Sequence, residues 1–296
     1  MNSDEIKVGQ KKIAITVDFE NFSHDLGRVL GVTNKIRSRE SALLNSYEFF
    51  MQFMSENFDE VRCTFFCTGI LAEKNPNIIS KIASDGHEIA CHYHFHDDFN
   101  KDSIENARAN LHLAKKILQD VSGQEILGFR APRFSLNIED KRHLELITEY
   151  FSYDSSLHFS NKHELDAALL SLNINDFREF PVSVQKLSRF LPDFKLGGSY
   201  LKLFPAAFVR KAILKTHENN LLPIVYLHPY DLLVSDEFGL RYEELKGLPA
   251  KTIFYTLARQ RQWTSIGNFN IPKNLKIIAN GFDNVGPLRS ISSSIV

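Results

Sequence analysis

The chain has 296 residues, enough for two ordinary domains or one barrel-sized domain at roughly 100–200 residues per domain. Hydrophobic residues make up 43% and charged residues 24%, which supplies a core and excludes general disorder. With 35 basic against 36 acidic side chains the formal charge is -1, so any binding to nucleic acid or an anionic surface needs a local patch.

Residues 1–11 read as a polar lead without an export signal, and no apolar run is long enough for a transmembrane helix. Cys63, Cys67 and Cys91 form an odd set with no disulfide framework, which suits a reducing compartment. A cytoplasmic protein is therefore expected.

In chain order, Lys12 to Val17 reads as a first strand, and Ser41 to Asn57 as a helix with Leu44, Tyr47, Met51 and Met54 at helical spacing. Val61 to Cys67 is a second strand, Asn77 to Asp85 a helix stopped by Gly86, and Glu88 to Cys91 a short third strand. Ile104, Ala107, Leu111, Ala114 and Leu118 mark one helix face, Gly123 follows its end, and Ile126 to Phe129 is a fourth strand. A helix over Ile138 to Glu149 leads to a fifth strand around Tyr153. Glu179 to Ser183 reads as strand or loop, Pro205 to Asn219 as helix, and Leu222 to Leu227 as a final strand. This alternation predicts an α/β fold: a distorted, incomplete (β/α) barrel of about seven strands over residues 12–280, with 281–296 a loose tail.

Polar residues gather at the predicted C-terminal strand ends, where such barrels place their active sites. Asp18 and Glu20 lie two residues apart and face the same way on a strand. Their repulsion invites a cation, with one carboxylate as ligand and the other as base; an exposed pair in a loop is the bland alternative. Four of eleven histidines fall in Gly86 to His96. His92 and His96 form an i,i+4 pair, a spacing that brings two imidazoles to one metal ion on a helical turn. His94 lies off that face, and His87 is expected to be structural. Arg130, at the fourth strand end, needs a carboxylate, and Asp18 is the natural partner. The last strand delivers His228 to the rim, followed by Pro229.

Together these segments resemble the polysaccharide deacetylases, carbohydrate esterase family four. Asp18/Glu20, Gly86 to His96, Arg130-Ala131-Pro132-Arg133-Phe134, Tyr153-Asp154-Ser155-Ser156 and Leu227-His228-Pro229 match its motifs in order. Gly197-Gly198-Ser199-Tyr200 and Leu203-Phe204-Pro205 resemble a branch associated with exported polysaccharides. Two positions depart from the family: the acids are separated by Phe19, and Tyr93 stands where a Ser or Thr usually follows the first metal histidine.

The resemblance implies a divalent ion, zinc first, held by Glu20, His92 and His96, with Asp18 as general base and His228 as acid; a swap of Asp18 and Glu20 is the alternative. It further implies that Arg130 holds Asp18, that the Arg133 N–H binds the oxyanion, and that Asp154 partners His228. Leu227, Tyr153 and Phe134 are expected around the acetyl methyl group.

The implied substrate is an N-acetylated sugar in a polysaccharide or its nucleotide- or lipid-linked precursor. Hydrolysis of another, cyclic amide on the same barrel and an inactive glycan-binding protein are the competing readings. Nucleic-acid binding is not expected, since there is no zinc-knuckle spacing or basic stripe.

Overall fold

The computed structural model describes residues 11–36, 40–172, 177–189 and 193–291. Strand β1 (Lys11–Phe19) is followed by α1 (Phe22–Val29), whose first turn is capped by the Asn21 side chain. Next come α2 (Glu40–Asn57), β2 (Thr64–Cys67), α3 (Gly69–Lys74), α4 (Pro76–Ser84) and β3 (Glu88–Cys91). Helix α5 (Ile104–Ser122) starts at Ser103, whose hydroxyl accepts the Asn106 N–H, and ends at Gly123 with φ 67°, the left-handed cap that glycine adopts without strain. Then follow β4 (Gly128–Phe129), α6 (Lys141–Tyr150), β5 (Tyr153–Asp154), β6 (His158–Phe159), α7 (Lys162–Ser171), β7 (Arg178–Glu179), β8 (Val182–Gln185) and β9 (Phe194–Lys195). The remaining elements are α8 (Gly198–Leu203), α9 (Ala206–Glu218), β10 (Ile224–Leu227), α10 (Pro229–Leu232), α11 (Tyr242–Leu245), α12 (Ala250–Thr264), α13 (Asn270–Ala279) and β11 (Phe282–Asn284).

Seven parallel strands, in the order β10-β1-β2-β3-β4-β5-β7, form a curled half-barrel surrounded by helices. A small sheet, β6-β8-β9, lies beside it and is tied to β10 by a bridge between Gly197 and Tyr226. A side chain at Gly197 would strike the Tyr226 carbonyl at 2.3 Å, so only glycine permits this approach.

Period-2 alternation sorts the strand residues into two layers. Val17, Phe19, Phe65, Cys67, Ile89, Phe129, Val225 and Leu227 face outward into the core beneath the helices. Ala14, Phe66, Ala90, Tyr153, Ile224 and Tyr226 face into the barrel. All three cysteines are buried and free. Among the described residues no helix is long and apolar enough to cross a membrane.

The C-terminal segment differs from the expected loose tail. Strand β11 pairs with β1 from Lys11 to Ile13, so Lys11, assigned to the polar lead, belongs to the sheet. The Ala14 N–H bonds to Pro223 on the β10 side, whereas the Ile15 N–H bonds to Asn284 Oδ1 at 3.3 Å, placing β11 on the opposite, β2 edge. Asn284 Nδ2 donates to the Glu60 and Arg62 carbonyls, both at 2.9 Å. Leu288 and Ile291 plug the barrel interior. A few widely spaced apolar residues among polar ones suffice here because the sheet supplies their partners. Residues 1–10 and 292–296 lie outside the described residues.

Candidate active site

Strand alternation carries Thr16 and Asp18 into the barrel, and Glu20 follows just past the end of β1. The metal-ligating atoms of Glu20, His92 and His96 lie within 4.8 Å of one another. The two imidazoles meet, with ring centres 5.3 Å apart, but not on a helical turn. Tyr93 takes a left-handed conformation, φ 66°, immediately after His92, and the chain bends back over residues 94–97. The Tyr93 hydroxyl secures this kink by donating to Asp102 at 2.5 Å.

These residues fit a divalent cation. His92 Nδ1 lies 2.8 Å from the Arg130 carbonyl, which can only accept; Nδ1 therefore carries the proton and Nε2 keeps its lone pair for a ligand bond. Burial pushes His92 down to about 4, so it is a neutral imidazole near pH 7. Glu20 Oε2 sits 2.6 Å from His96 Nε2 yet is buried without a hydrogen bond, an orphaned acceptor that a metal ion would satisfy. Burial would raise the Glu20 carboxyl, but the adjacent His96, with His228 and His92, outweighs it and lowers it. Burial likewise opposes His96 protonation, and the Glu20 carboxylate beside it raises its pKa on balance. Two nitrogens and one oxygen match the donor set of a catalytic zinc site.

Arg130 is fully buried and every edge of its guanidinium is used. It donates to Asp18 Oδ1 at 2.6 Å, Thr16 Oγ1 at 3.0 Å, the Ser155 carbonyl at 3.1 Å and Ser155 Oγ at 2.7 Å. Its flat face lies 4.0 Å over the Phe66 ring. Asp18 is thus fixed by a guanidinium that has no freedom to rotate.

His228 is brought to the same mouth by β10. Asp231 Oδ2 accepts both its backbone N–H at 2.9 Å and its Nδ1–H at 2.8 Å. The other Asp231 oxygen meets the buried Lys202 ammonium at 2.7 Å. Burial works against charge on His228, but Asp231, with Glu20 and Asp18, raises its pKa. The Tyr230 ring stacks on His228, centres 4.8 Å apart, and its hydroxyl donates to Glu20 at 3.4 Å.

Asp154, expected to partner His228, is engaged elsewhere. It accepts the Ser156 N–H at 3.0 Å and hydroxyl at 2.6 Å, and burial raises its pKa against the opposing hydrogen bonds from Glu179 and Ser156. Ser156 in turn accepts the Ala131 N–H at 2.7 Å, so Asp154 braces the turn after β4. The spacing His-Pro-x-Asp across a first helical turn was the sequence signal for Asp231.

Two of the three residues expected around the acetyl methyl also sit elsewhere. Leu227 faces outward with Val17 and Val225, as alternation requires once His228 faces in. The Tyr153 ring fills the space over Gly128, where a Cβ would meet it at 2.1 Å, and its hydroxyl donates to Glu88 at 2.9 Å near the start of β3. Phe134 does border the site: its ring lies 4.9 Å from Tyr226 and 5.4 Å from the Arg130 guanidinium. Tyr226, not identified from sequence, forms the opposite wall, 5.8 Å from His228.

Arg133 and Phe134 both have positive φ, 57° and 54°. The N–H groups of Phe134 and Ser135 bond to Ala131 and Pro132 carbonyls, while the Arg133 N–H has no protein partner among the described residues. His87 is buried, with Nδ1 accepting the Cys63 N–H at 3.1 Å, a structural histidine. His94 is buried against Gly69 and stays outside the triad.

The chain is similar to known proteins in sequence and in fold. The family model described as polysaccharide deacetylase matches residues 50–146, and a domain of unknown function, DUF3473, matches residues 160–262. A peptidoglycan-N-acetylglucosamine deacetylase from Bacillus cereus is 35% identical over 74 residues, 25% of each chain. The aligned stretch thus spans a quarter of that relative's length. Among solved structures, a polysaccharide deacetylase candidate from Mycobacterium smegmatis aligns with TM-score 0.51 at 19% identity, covering 93% of this chain and 93% of its own. A family 4 carbohydrate esterase from Streptomyces lividans aligns with TM-score 0.47 at 11% identity, over 93% of this chain and 91% of its own. Residues 50–146 thus match the polysaccharide deacetylase family model, and the half-barrel fold is shared with the Mycobacterium smegmatis structure.

Proposed function

We propose that this protein is a metal-dependent hydrolase that removes the acetyl group from an N-acetylated sugar, in a polysaccharide or its biosynthetic precursor. One observation carries the reading: the Glu20, His92 and His96 ligand atoms converge within 4.8 Å at a mouth that also holds an arginine-clamped Asp18 and a carboxylate-paired His228. Glu20, His92 and His96 would hold the ion, with zinc the first choice, which supplies Lewis acidity and brings water to a pKa of about 7.

Asp18 takes the proton of the attacking water, held in position by Arg130. The free N–H of Arg133 stabilises the developing oxyanion, aimed before the charge appears. His228, kept protonated by Asp231, delivers a proton to the departing amine, which leaves poorly without it. Phe134 and Tyr226 bound the apolar space for the acetyl methyl.

The test is acetate release from an N-acetylated chitin oligosaccharide by protein stripped of metal and reloaded with zinc. Activity should follow bound zinc, and His92→Ala or His96→Ala should lose both, while His94→Ala keeps both. Asp18→Asn should retain zinc and lose about 10²–10⁴-fold in turnover, whereas Glu20→Gln loses zinc as well. Full activity in stripped protein overturns the metal role, and the opposite behaviour of the two acids overturns their assignment.

A further inference from the structure

From Lys246 to Phe282 the chain contains six basic residues, Lys246, Lys251, Arg259, Arg261, Lys273 and Lys276, and no acidic one, in a protein whose formal charge is -1. None of the six forms an ion pair among the described residues. Helix α12 lies in this stretch. Its inner face buries Thr256, Gln260 and Thr264, while its outer face presents Lys251, Phe254, Tyr255, Ala258 and Arg261 at helical spacing. Phe254 is 77% exposed and Tyr255 65%. The turn after the helix adds Ile266 at 59% and Phe269 at 81%.

Apolar side chains this large are seldom left this exposed unless they meet an external surface. On the flank of α12 opens a cavity of about 710 Å³ lined by Arg241, Tyr242, Phe254, Leu257 and Arg261, with Asp236 the acidic member of its wall. Protruding aromatics interleaved with cations along a stretch that contains no acid are the composition of a surface that lies in the headgroup layer of an anionic bilayer. A sugar-stacking platform would not need the run of cations without ion-pair partners among the described residues.

We propose that the outer face of α12 and the following turn dock the protein on an anionic lipid surface, with Phe254, Tyr255 and Phe269 entering the interface and the lysines and arginines meeting headgroup phosphates. This goes beyond the hydrolytic reading and does not depend on it.

The test is co-sedimentation of the full chain with vesicles of phosphatidylcholine alone or of equal phosphatidylcholine and phosphatidylglycerol. Binding should appear on the anionic vesicles, weaken with salt, and fall about tenfold in Phe254→Glu/Tyr255→Glu; Lys251→Glu/Arg261→Glu should lose the dependence on phosphatidylglycerol. Both double variants should keep the melting temperature and any hydrolysis of a soluble acetamide substrate. No pelleting with either vesicle, equal pelleting with both, or wild-type behaviour of both variants overturns the proposal. So does retention on insoluble glycan that the aromatic substitutions abolish, with no vesicle binding. Vesicle binding is read without any activity, so failure of the hydrolytic reading leaves it intact.

Discussion

His228 and Asp231 sit three residues apart on either side of a helix start, so one carboxylate both caps α10 and holds the imidazole. That double use makes its charge hard to replace. If His228 gives a proton to the leaving amine, activity must fall as pH rises through its folded-state pKa, which Asp231 holds above the ordinary value. In Asp231→Asn the descending alkaline limb of kcat/KM should therefore move to lower pH, by about 1–3 pH units, with bound zinc unchanged. An acetate ester with a good leaving group should feel the substitution much less. A limb that stays in place on the amide substrate would remove His228 from the role of acid. Lys202 acts one step further out, opposite the second Asp231 oxygen, and is buried on α8, the helix that Gly197-Gly198 opens close against Tyr226.

Strands decide which side chains reach the mouth and which do not. The functional strand ends were legible because a β/α barrel gathers polar residues at one end, and Asp18, Glu20, His92, Arg130 and His228 all stand there. The matched polysaccharide deacetylase region, residues 50–146, contains His92, His96 and Arg130 but neither acid nor His228; those come from β1 and β10, which pair with each other. What spacing does not show is which carboxylate meets which histidine: Asp154 and Asp231 are both plausible in one dimension, and only packing separates them. Leu227 is a different kind of miss, since inward His228 and period-2 alternation together force it outward. Its replacement by Ala should accordingly cost about 2–5 kcal/mol in urea unfolding and leave KM for the oligosaccharide unchanged. Phe134→Ala, at a partly buried position, should instead raise KM with a smaller loss of stability. Equal effects of the two on KM would restore Leu227 to the substrate pocket.

At the scale of the molecule, β1 is held on one edge by β10 and on the other by β2 and β11. Asn284 is the peg of the last contact, serving the Ile15 N–H and two carbonyls ahead of β2. Asn284→Ala should leave these buried groups unpaired and lower unfolding free energy by about 1–3 kcal/mol, with the slope against urea unchanged; a loss near zero would show that water replaces the peg. Ile15 and Asn284 are 269 residues apart, so the central strand cannot complete its pairing until nearly the whole described chain has been synthesised. During translation at about 5–20 residues per second, the free edge of β1 and the inward residues that Leu288 and Ile291 later cover remain open for many seconds. The nascent chain therefore needs shelter before it needs a metal, and capture of ribosome-bound chains by holding chaperones should end when β11 emerges.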